Sequence, residues 1–222
     1  MAYNNNRPQS MAFNLLWAEE KERRQLASNL HDNITQTLAL SLIKLKMLKE
    51  SLSSTIYAEP LDEISEIIEQ TINNIRAMTF DLSPPDLYEL GLPSALESLC
   101  ERFHGKYRLT IYFSSDKRVS RINDETSVLI FRAVQELLFN IVKHANANIA
   151  RVSLEKDRDF IKINVSDDGV GFDPSTINNK GLHTGFGIFS IRERLKGIGG
   201  QLEIKSRHGF GTSISIIVPV SS

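Results

Sequence analysis

The chain has 222 residues, of which 41% are hydrophobic, and its formal net charge is −1, so it is neither an intrinsically disordered chain nor one with the basic field of a nucleic-acid binder. Cys100 is the only cysteine, which excludes an internal disulfide, and no apolar run approaches the ~20 residues that cross a bilayer. We therefore expect a folded chain that is soluble as given and cytoplasmic.

The first part of the sequence predicts one long helix, from about Asn14 to Ser53. This stretch contains no Pro or Gly, and its apolar residues recur three or four positions apart: Leu26, Leu30, Ile34, Leu38, Leu42, Leu45 and Leu52. A second apolar set, Leu40, Ile43 and Met47, falls on a different face at ~100° per residue. Apolar residues on two faces predict a helix that is buried from two sides, as in a bundle.

A second helix is predicted from Leu61 to about Leu82, after a break at Tyr57-Ala58-Glu59-Pro60. Two helices joined by a short turn form a hairpin, which buries too little apolar surface to be stable alone. We expect two copies to pair into a dimeric four-helix bundle, so that the protein is a homodimer. Ser83-Pro84-Pro85 ends the second helix, which predicts a helical domain at 1–84 and a second domain at 85–222.

The second domain has a mixed α/β pattern. Helices are predicted at 91–106, 123–144 (capped by Asn123 or Asp124) and 188–195, and strands at 109–113, 150–155, 160–166, 201–206 and 212–218. The pattern indicates an α/β sandwich, with a largely antiparallel sheet that carries helices on one face. A long polar loop from Asp173 to Thr184 is typical of a lid over a ligand.

Two glycine loops in this domain indicate a nucleotide site. Asp167-Asp168-Gly169-Val170-Gly171 follows a predicted strand, and Gly185-Phe186-Gly187 begins a predicted helix. Neither loop fits the P-loop or the dinucleotide fingerprint, and no protein-kinase motif is present. A carboxylate at the end of an apolar strand can accept a hydrogen bond from the adenine amine, whereas guanine presents a carbonyl oxygen there. Asp167 therefore favours ATP over GTP.

The neighbouring residues complete this site. Gly169 and Gly171 let the backbone turn beneath a base, and Gly185 and Gly187 bring amides and a helix N-terminus near the phosphates. Asn140, on the long predicted helix, provides a neutral oxygen suited to Mg²⁺, with Lys143 and His144 one turn further along. Lys143 and His144 also fit a purely structural role at a basic helix end.

These segments resemble the N box and glycine boxes of the GHKL (Bergerat-type) ATPases, and in order and spacing those of histidine kinases. The resembling runs are Glu136 to Ala145, Asp167 to Phe172, Gly185 to Gly187, and Gly209 to Thr212. The resemblance implies that ATP is bound by Glu136, Asn140, Lys143, His144, Asp167, Gly169, Gly171, Gly185, Gly187 and Thr212, with Mg²⁺ at Asn140. The chain departs from the family pattern at Thr35, Phe139 and Ser190.

The helical region resembles the phosphoacceptor region of the NarX/DesK-like histidine kinases over the run from Glu22 to Gln36, and their linker at Leu82 to Leu87. The resemblance implies that His31 is the phosphorylated histidine, that Asp32 orients it or takes its proton, and that Gln36 places water for dephosphorylating a response regulator. An imidazole is a competent nucleophile near neutral pH, and an adjacent carboxylate stabilises the charge that develops on attack.

Two alternatives from other classes stay open at this point. The chain could be a silent dimeric scaffold that binds nucleotide and a receiver domain without transferring anything. It could also be a GHKL ATPase or protein-serine kinase in which His31 has only a structural role. A longer, membrane-anchored parent that carries an input domain is compatible with every one of these functions.

Overall fold

The computed structural model describes residues 11–52, 55–119, 122–175 and 186–219. The chain divides into two compact units, one made of Leu16–Pro85 and one that contains Asp86 and the residues after it. Within the described residues, no helix is both long enough and apolar enough to span a membrane.

Among the described residues, three α-helices lie in or extend into the helical unit. They are α1 (Met11–Asn29), α2 (Gln36–Ser51) and α3 (Ala58–Leu82), with a 3₁₀ turn at Thr55–Tyr57 before α3. Leu30–Thr35, between α1 and α2, is π-helical. The predicted long helix is therefore present with a π-helical segment in its middle, where Thr35 is buried and its hydroxyl donates to the carbonyl of Leu30.

The start of α3 also differs from the sequence prediction. The helix begins at Ala58, so Pro60 lies inside its first turn instead of in a break before it. Proline is compatible with this position because the first N–H groups of a helix have no intrahelical acceptor. The predicted end at Leu82 is confirmed, with Ser83 in an extended conformation immediately after it.

The α2 and α3 helices pack against each other through only one of the apolar faces of each. Ile72 and Thr79 of α3 are buried. On the exposed side, ion pairs from Lys46 to Glu69 and from Lys49 to Asp62 join the two helices. A second set of apolar side chains on the two helices is between 46% and 64% exposed: Leu40, Ile43, Met47, Ile64 and Ile67. Each helix therefore presents an uncovered apolar stripe.

A short helix that the sequence did not predict, α4 (Pro85–Glu89), lies at the boundary between the two units along the chain. The elements after it are α5 (Leu92–Lys106), β1 (Thr110–Ser115), α6 (Asp124–Asn140), β2 (Ile149–Asp157), β3 (Phe160–Asp167), α7 (Phe186–Gly197), β4 (Gln201–Ser206) and β5 (Thr212–Pro219). Of the two predicted capping residues of α6, Asn123 is the one observed: its side chain accepts a hydrogen bond from the N–H of Thr126 at 2.7 Å. A π-helical turn, Ile141–Ala145, follows α6.

The five strands of the described residues form one sheet in the order β1-β2-β3-β5-β4. Only β1 and β2 are parallel, and the other neighbours are antiparallel. Alternate residues of the central strands are buried on a single face: Ala150, Val152, Leu154, Ile161, Ile163, Val165, Ile214, Ile216 and Val218. This confirms the expected mixed, largely antiparallel sheet with one apolar face.

Helices α5, α6 and α7 cover that apolar face. Phe131, Leu96 and Leu195 are fully buried there, one from each helix. Cys100 of α5 lies in the same core, where burial raises the pKa of its thiol to about 12. The core thus fixes α6 against the middle of the sheet, which determines where the polar ends of α6 and β3 meet.

Candidate functional site

Strand β3 ends, and its neighbour β5 begins, at the centre of the candidate nucleotide site. Asp167 is the last residue of β3, and it is paired with Thr212, the first residue of β5. Asp167 Oδ1 accepts a hydrogen bond from the N–H of Gly169 at 2.8 Å. Burial raises the pKa of the Asp167 carboxyl above its usual value, and backbone hydrogen bonds from Gly169 and Thr212 oppose that rise. The carboxylate is therefore half-buried and held in one orientation.

The turn after Asp167 packs tightly against the end of the α6 helix. The N–H of Val170 donates to the carbonyl of Ala145 at 2.8 Å, and a Cβ on Gly169 would overlap that carbonyl. Gly171 has φ +61°, and a side chain there would overlap the carbonyl of Arg207. These two glycines are thus required by the packing of the protein itself, in addition to any room they leave for a ligand.

The hydroxyl of Ser206, which was not predicted as part of the site, connects the two glycine turns at this edge of the sheet. Ser206 Oγ, at the end of β4, accepts from the N–H of Phe172 at 2.9 Å and donates to the carbonyl of Gly211 at 3.2 Å. It also lies 2.9 Å from the hydroxyl of Thr212. Ser206 therefore holds the turn after β3 and the start of β5 in a fixed relation.

One face of α6 carries the other predicted ligands. Glu136 and Asn140 are partly buried, and Asn140 is the last α-helical residue before the π turn. Lys143 and His144 lie within that turn and are exposed. The Nζ of Lys143 lies 5.6 Å from the ring centre of Phe139, which places a cation over an aromatic face.

The beginning of α7 approaches the same face of α6. A Cβ on Gly187 would overlap Oε1 of Glu136, so the two predicted site residues are in direct proximity. Gly187 was predicted from the sequence to bring its amide near the phosphates, and its missing side chain makes room for Glu136. Gly185 lies outside the described residues, as does most of the predicted lid from Asp173 to Thr184.

The helical unit brings a second group of predicted residues together at the π-helical segment. His31 Nδ1 lies 3.2 Å from Asp32 Oδ1, and both side chains are 58% exposed. Ser28 Oγ donates to the other carboxylate oxygen, Asp32 Oδ2, at 2.9 Å. Hydrogen bonds from His31 and then Ser28 lower the pKa of the Asp32 carboxyl. Gln36, the first residue of α2, is also exposed.

Comparison with known families matches both units. Residues 22–87 match the family described as histidine kinase, and residues 125–222 match the histidine kinase-, DNA gyrase B-, and HSP90-like ATPases. In this order the two matches correspond to the core of a NarX-like sensor histidine kinase. The chain belongs to the histidine kinases.

Solved structures agree with this kinase at the level of the fold. The histidine kinase domain of the blue-light activated histidine kinase from Erythrobacter litoralis EL346 has a TM-score of 0.53 and 17% identity, covering 85% of this chain and 94% of that one. A longer structure of the same Erythrobacter litoralis EL346 protein has a TM-score of 0.50 and 18% identity, covering 83% of this chain and 60% of that one.

The family assignment establishes the chemistry of the kinase in general terms. It is an ATP-dependent histidine kinase, and its ATPase-type domain binds ATP. The helical region is of the class through which histidine kinases dimerise and meet response regulators. Most of the residues predicted to bind ATP lie in the described part of the ATPase domain. They are found at the end of α6, in the turn after β3 and at the starts of α7 and β5.

Three further contributors to this site of the kinase were missed from the sequence. Ser206 and the carbonyl of Ala145 hold the glycine turns, as described above. Asp168 Oδ1 accepts from the N–H groups of Asn148 and Ile149, both at 2.9 Å, and these bonds lower the pKa of its carboxyl. Asp168 thus anchors the start of β2. The sequence signal for the role of Asp168 is its position as the second aspartate before the first glycine. No local sequence pattern indicates the role of Ser206.

The amide oxygen of Asn140 in the kinase is of a type that suits Mg²⁺. Among the described residues, no three His, Cys, Asp or Glu side chains form a group able to hold a metal by themselves. Mg²⁺ takes few protein ligands when phosphate oxygens and water complete its shell, and a partly buried amide oxygen such as that of Asn140 is a suitable one.

Proposed function

We propose that His31 accepts the γ-phosphoryl group of ATP and passes it to an aspartate of a response regulator. In the first step Nε2 of His31 attacks the γ-phosphorus, a P–N bond forms, and the bond to the β-phosphate oxygen breaks with its electron pair leaving on ADP. In the second step the receiver carboxylate takes the phosphoryl group and the imidazole is released. In this proposal residues 1–84 form the phosphotransfer domain and 85–222 the catalytic domain.

The contact between His31 and Asp32 carries this proposal. An ionised carboxylate is an acceptor only, so the 3.2 Å approach requires a proton on Nδ1 of the imidazole. In a neutral ring this leaves the lone pair on Nε2, which is the atom available for attack. His31 is 58% exposed, so a phosphoryl donor and a receiver domain can both reach it. Asp32 then offsets the positive charge that develops on the ring.

At the donor end, we assign the adenine to Asp167 and the metal to Asn140. The carboxylate of Asp167 is fixed by the N–H of Gly169, which suits one directed hydrogen bond to an exocyclic amine. Mg²⁺, when bound at Asn140, neutralises the phosphate charge that builds up in the transition state. Lys143 and His144 lie in the turn after Asn140 and are exposed, so they are available to the phosphates.

A homodimer is supported by the uncovered apolar stripes of α2 and α3. Met47 and Ile67 are 64% and 58% exposed, respectively, although they belong to regular apolar patterns on their helices. Exposed stripes of this length on both helices of a hairpin are typical of an interface. We infer that a second copy covers them to form a four-helix bundle.

Gln36 supports a second activity of the same unit, dephosphorylation of the receiver domain. Gln36 is exposed at the start of α2, within the same exposed segment as His31 and Asp32. Its amide can orient a water molecule toward an acyl phosphate on a docked partner. Replacement of Gln36 by Ala is expected to slow this hydrolysis and leave autophosphorylation intact.

Labelling of the full chain with γ-labelled ATP and Mg²⁺ tests the proposal. The expected product is an acid-labile, base-stable phosphohistidine that disappears in His31→Gln, while that variant still binds nucleotide. Acid-stable label, or label retained in His31→Gln, would instead identify a protein-serine kinase with a structural His31. Absence of label despite bound ATP would identify a silent scaffold.

A further inference from the structure

Ser28 differs from the other helical hydroxyls of the same unit in where its hydrogen bond points. The hydroxyls of Thr37, Ser41, Ser65, Thr71 and Thr79 each donate to the backbone carbonyl four residues earlier. This is the usual arrangement for Ser and Thr inside helices. Ser28 instead donates forward, to the side chain of Asp32 at 2.9 Å.

The two oxygens of Asp32 are thereby divided between two partners. Oδ2 accepts from Ser28 at 2.9 Å, and Oδ1 lies 3.2 Å from Nδ1 of His31. One hydrogen bond to each oxygen fixes the plane of the carboxylate as well as its position. Without the bond to Ser28, an exposed aspartate can exchange its contact to the imidazole for water, because its side-chain torsions are free to rotate.

We propose that Ser28 is a positioning residue for phosphoryl transfer, which holds Asp32 in the orientation that binds Nδ1 of His31 and so directs Nε2 to the phosphorus. This inference rests on the proposed role of His31 as acceptor. It adds a residue that touches neither ATP nor the reacting atoms and acts through Asp32. Hydrogen bonds from His31 and then from Ser28 lower the pKa of the Asp32 carboxyl, which agrees with this geometry.

The alanine variant at this position gives a clean test, because it is not expected to disturb folding. Ser28 is exposed on α1, and Ala is a better helix former than Ser. Loss of one hydrogen bond is expected to slow phosphohistidine formation about three- to ten-fold in Ser28→Ala, with the KM for ATP unchanged. Ser28→Thr retains the hydroxyl and is expected to restore the rate to within about two-fold.

Ser41→Ala is the matched control. Ser41 is exposed on the same run of helices, and its hydroxyl donates to the carbonyl of Thr37 at 2.9 Å. It is expected to label at the rate of the unaltered chain. A loss of rate in Ser28→Ala that Ser28→Thr does not restore would overturn the positioning role, as would equal rates for Ser28→Ala and Ser41→Ala.

The state of the His31 ring provides a readout that does not depend on ATP. In ¹⁵N NMR of the full chain, Ser28→Ala is expected to shift His31 from the Nδ1–H tautomer toward the Nε2–H tautomer. An unchanged tautomer would overturn the inference even where the rate falls. The two failures are distinguishable: label that survives in His31→Gln rejects the acceptor, whereas label specific to His31 with no effect of Ser28 rejects only the positioning residue.

Discussion

Two glycines in the turn between β4 and β5 provide a paired test of how closely the glycine loops pack. Gly209 and Gly211 have φ +80° and +74°, so an alanine at either position adopts a left-handed backbone. A Cβ on Gly209 would meet no atom within 4 Å, whereas a Cβ on Gly211 would overlap the carbonyl oxygen of Asp167. The two substitutions therefore share one cost, and only one of them adds a clash.

The magnitudes follow from these two contributions. The left-handed backbone costs an L-residue roughly 1–2 kcal/mol, which is the whole expected effect of Gly209→Ala. Overlap with a backbone atom adds about 1–3 kcal/mol for Gly211→Ala, because strand β3 cannot move aside without breaking its pairing. At about 4 °C per kcal/mol for a domain of this size, Gly209→Ala lowers the Tm by roughly 4–8 °C and Gly211→Ala by roughly 8–20 °C.

Thermal unfolding of the two variants, followed together with ATP binding, measures both consequences. Gly211→Ala is also expected to weaken ATP binding more than Gly209→Ala does, because it displaces the residue that we assign to adenine. Equal losses of Tm in the two variants would refute the reasoning, since the left-handed backbone would then account for everything and the contact with Asp167 for nothing.

Three further predictions concern other residues of the second unit. Gly105→Ala, in α5 with open space around its Cα, is expected to raise stability by about 0.5–1 kcal/mol in denaturant unfolding. Ser206→Ala removes the hydroxyl that joins two turns, so it is expected to lower the free energy of unfolding by about 1–3 kcal/mol and to weaken ATP binding as measured by calorimetric titration. Ser206→Thr keeps the hydroxyl and is expected to keep both the stability and the ATP affinity of the unaltered chain. The carboxyl of Asp167 has a folded pKa raised above 3.8, so its contribution to stability is present below that value and is lost as the pH rises through the folded pKa. As the pH rises through that window, Asp167→Asn should therefore become more stable relative to the unaltered chain, although it should lose ATP binding. A difference in stability that does not change with pH would contradict this prediction.

Much of the fold could be predicted from the sequence because the apolar periodicity is strong. The strands β2, β3 and β5 alternate apolar and polar residues, and the single apolar face they indicated is the face that the helices cover. The π-helical segment at Leu30–Thr35 was not predictable from this periodicity. An apolar repeat of three or four residues fits α and π turns alike.

The motifs of the candidate nucleotide site could be recognised in the sequence, but the contacts between them could not. Asp167 and Thr212 were identified from separate motifs, and their pairing across β3 and β5 required the sheet order. The contact between Gly187 and Glu136 was likewise invisible, because it depends on how α7 approaches α6. Long-range placements of this kind are set by packing of the core, which local sequence patterns do not encode.

The π-helical segment has a consequence for anyone who splices a foreign coiled coil onto this kinase. One residue more than an α-helix needs is accommodated between Asn29 and Gln36, so a seven-residue frame counted along α1 is out of phase by ~100° when it is continued into α2. A chimera must therefore set its frame entirely on one side of His31. Deleting a single residue within Leu30–Thr35 would remove the extra residue, so that one seven-residue frame then runs through both α1 and α2.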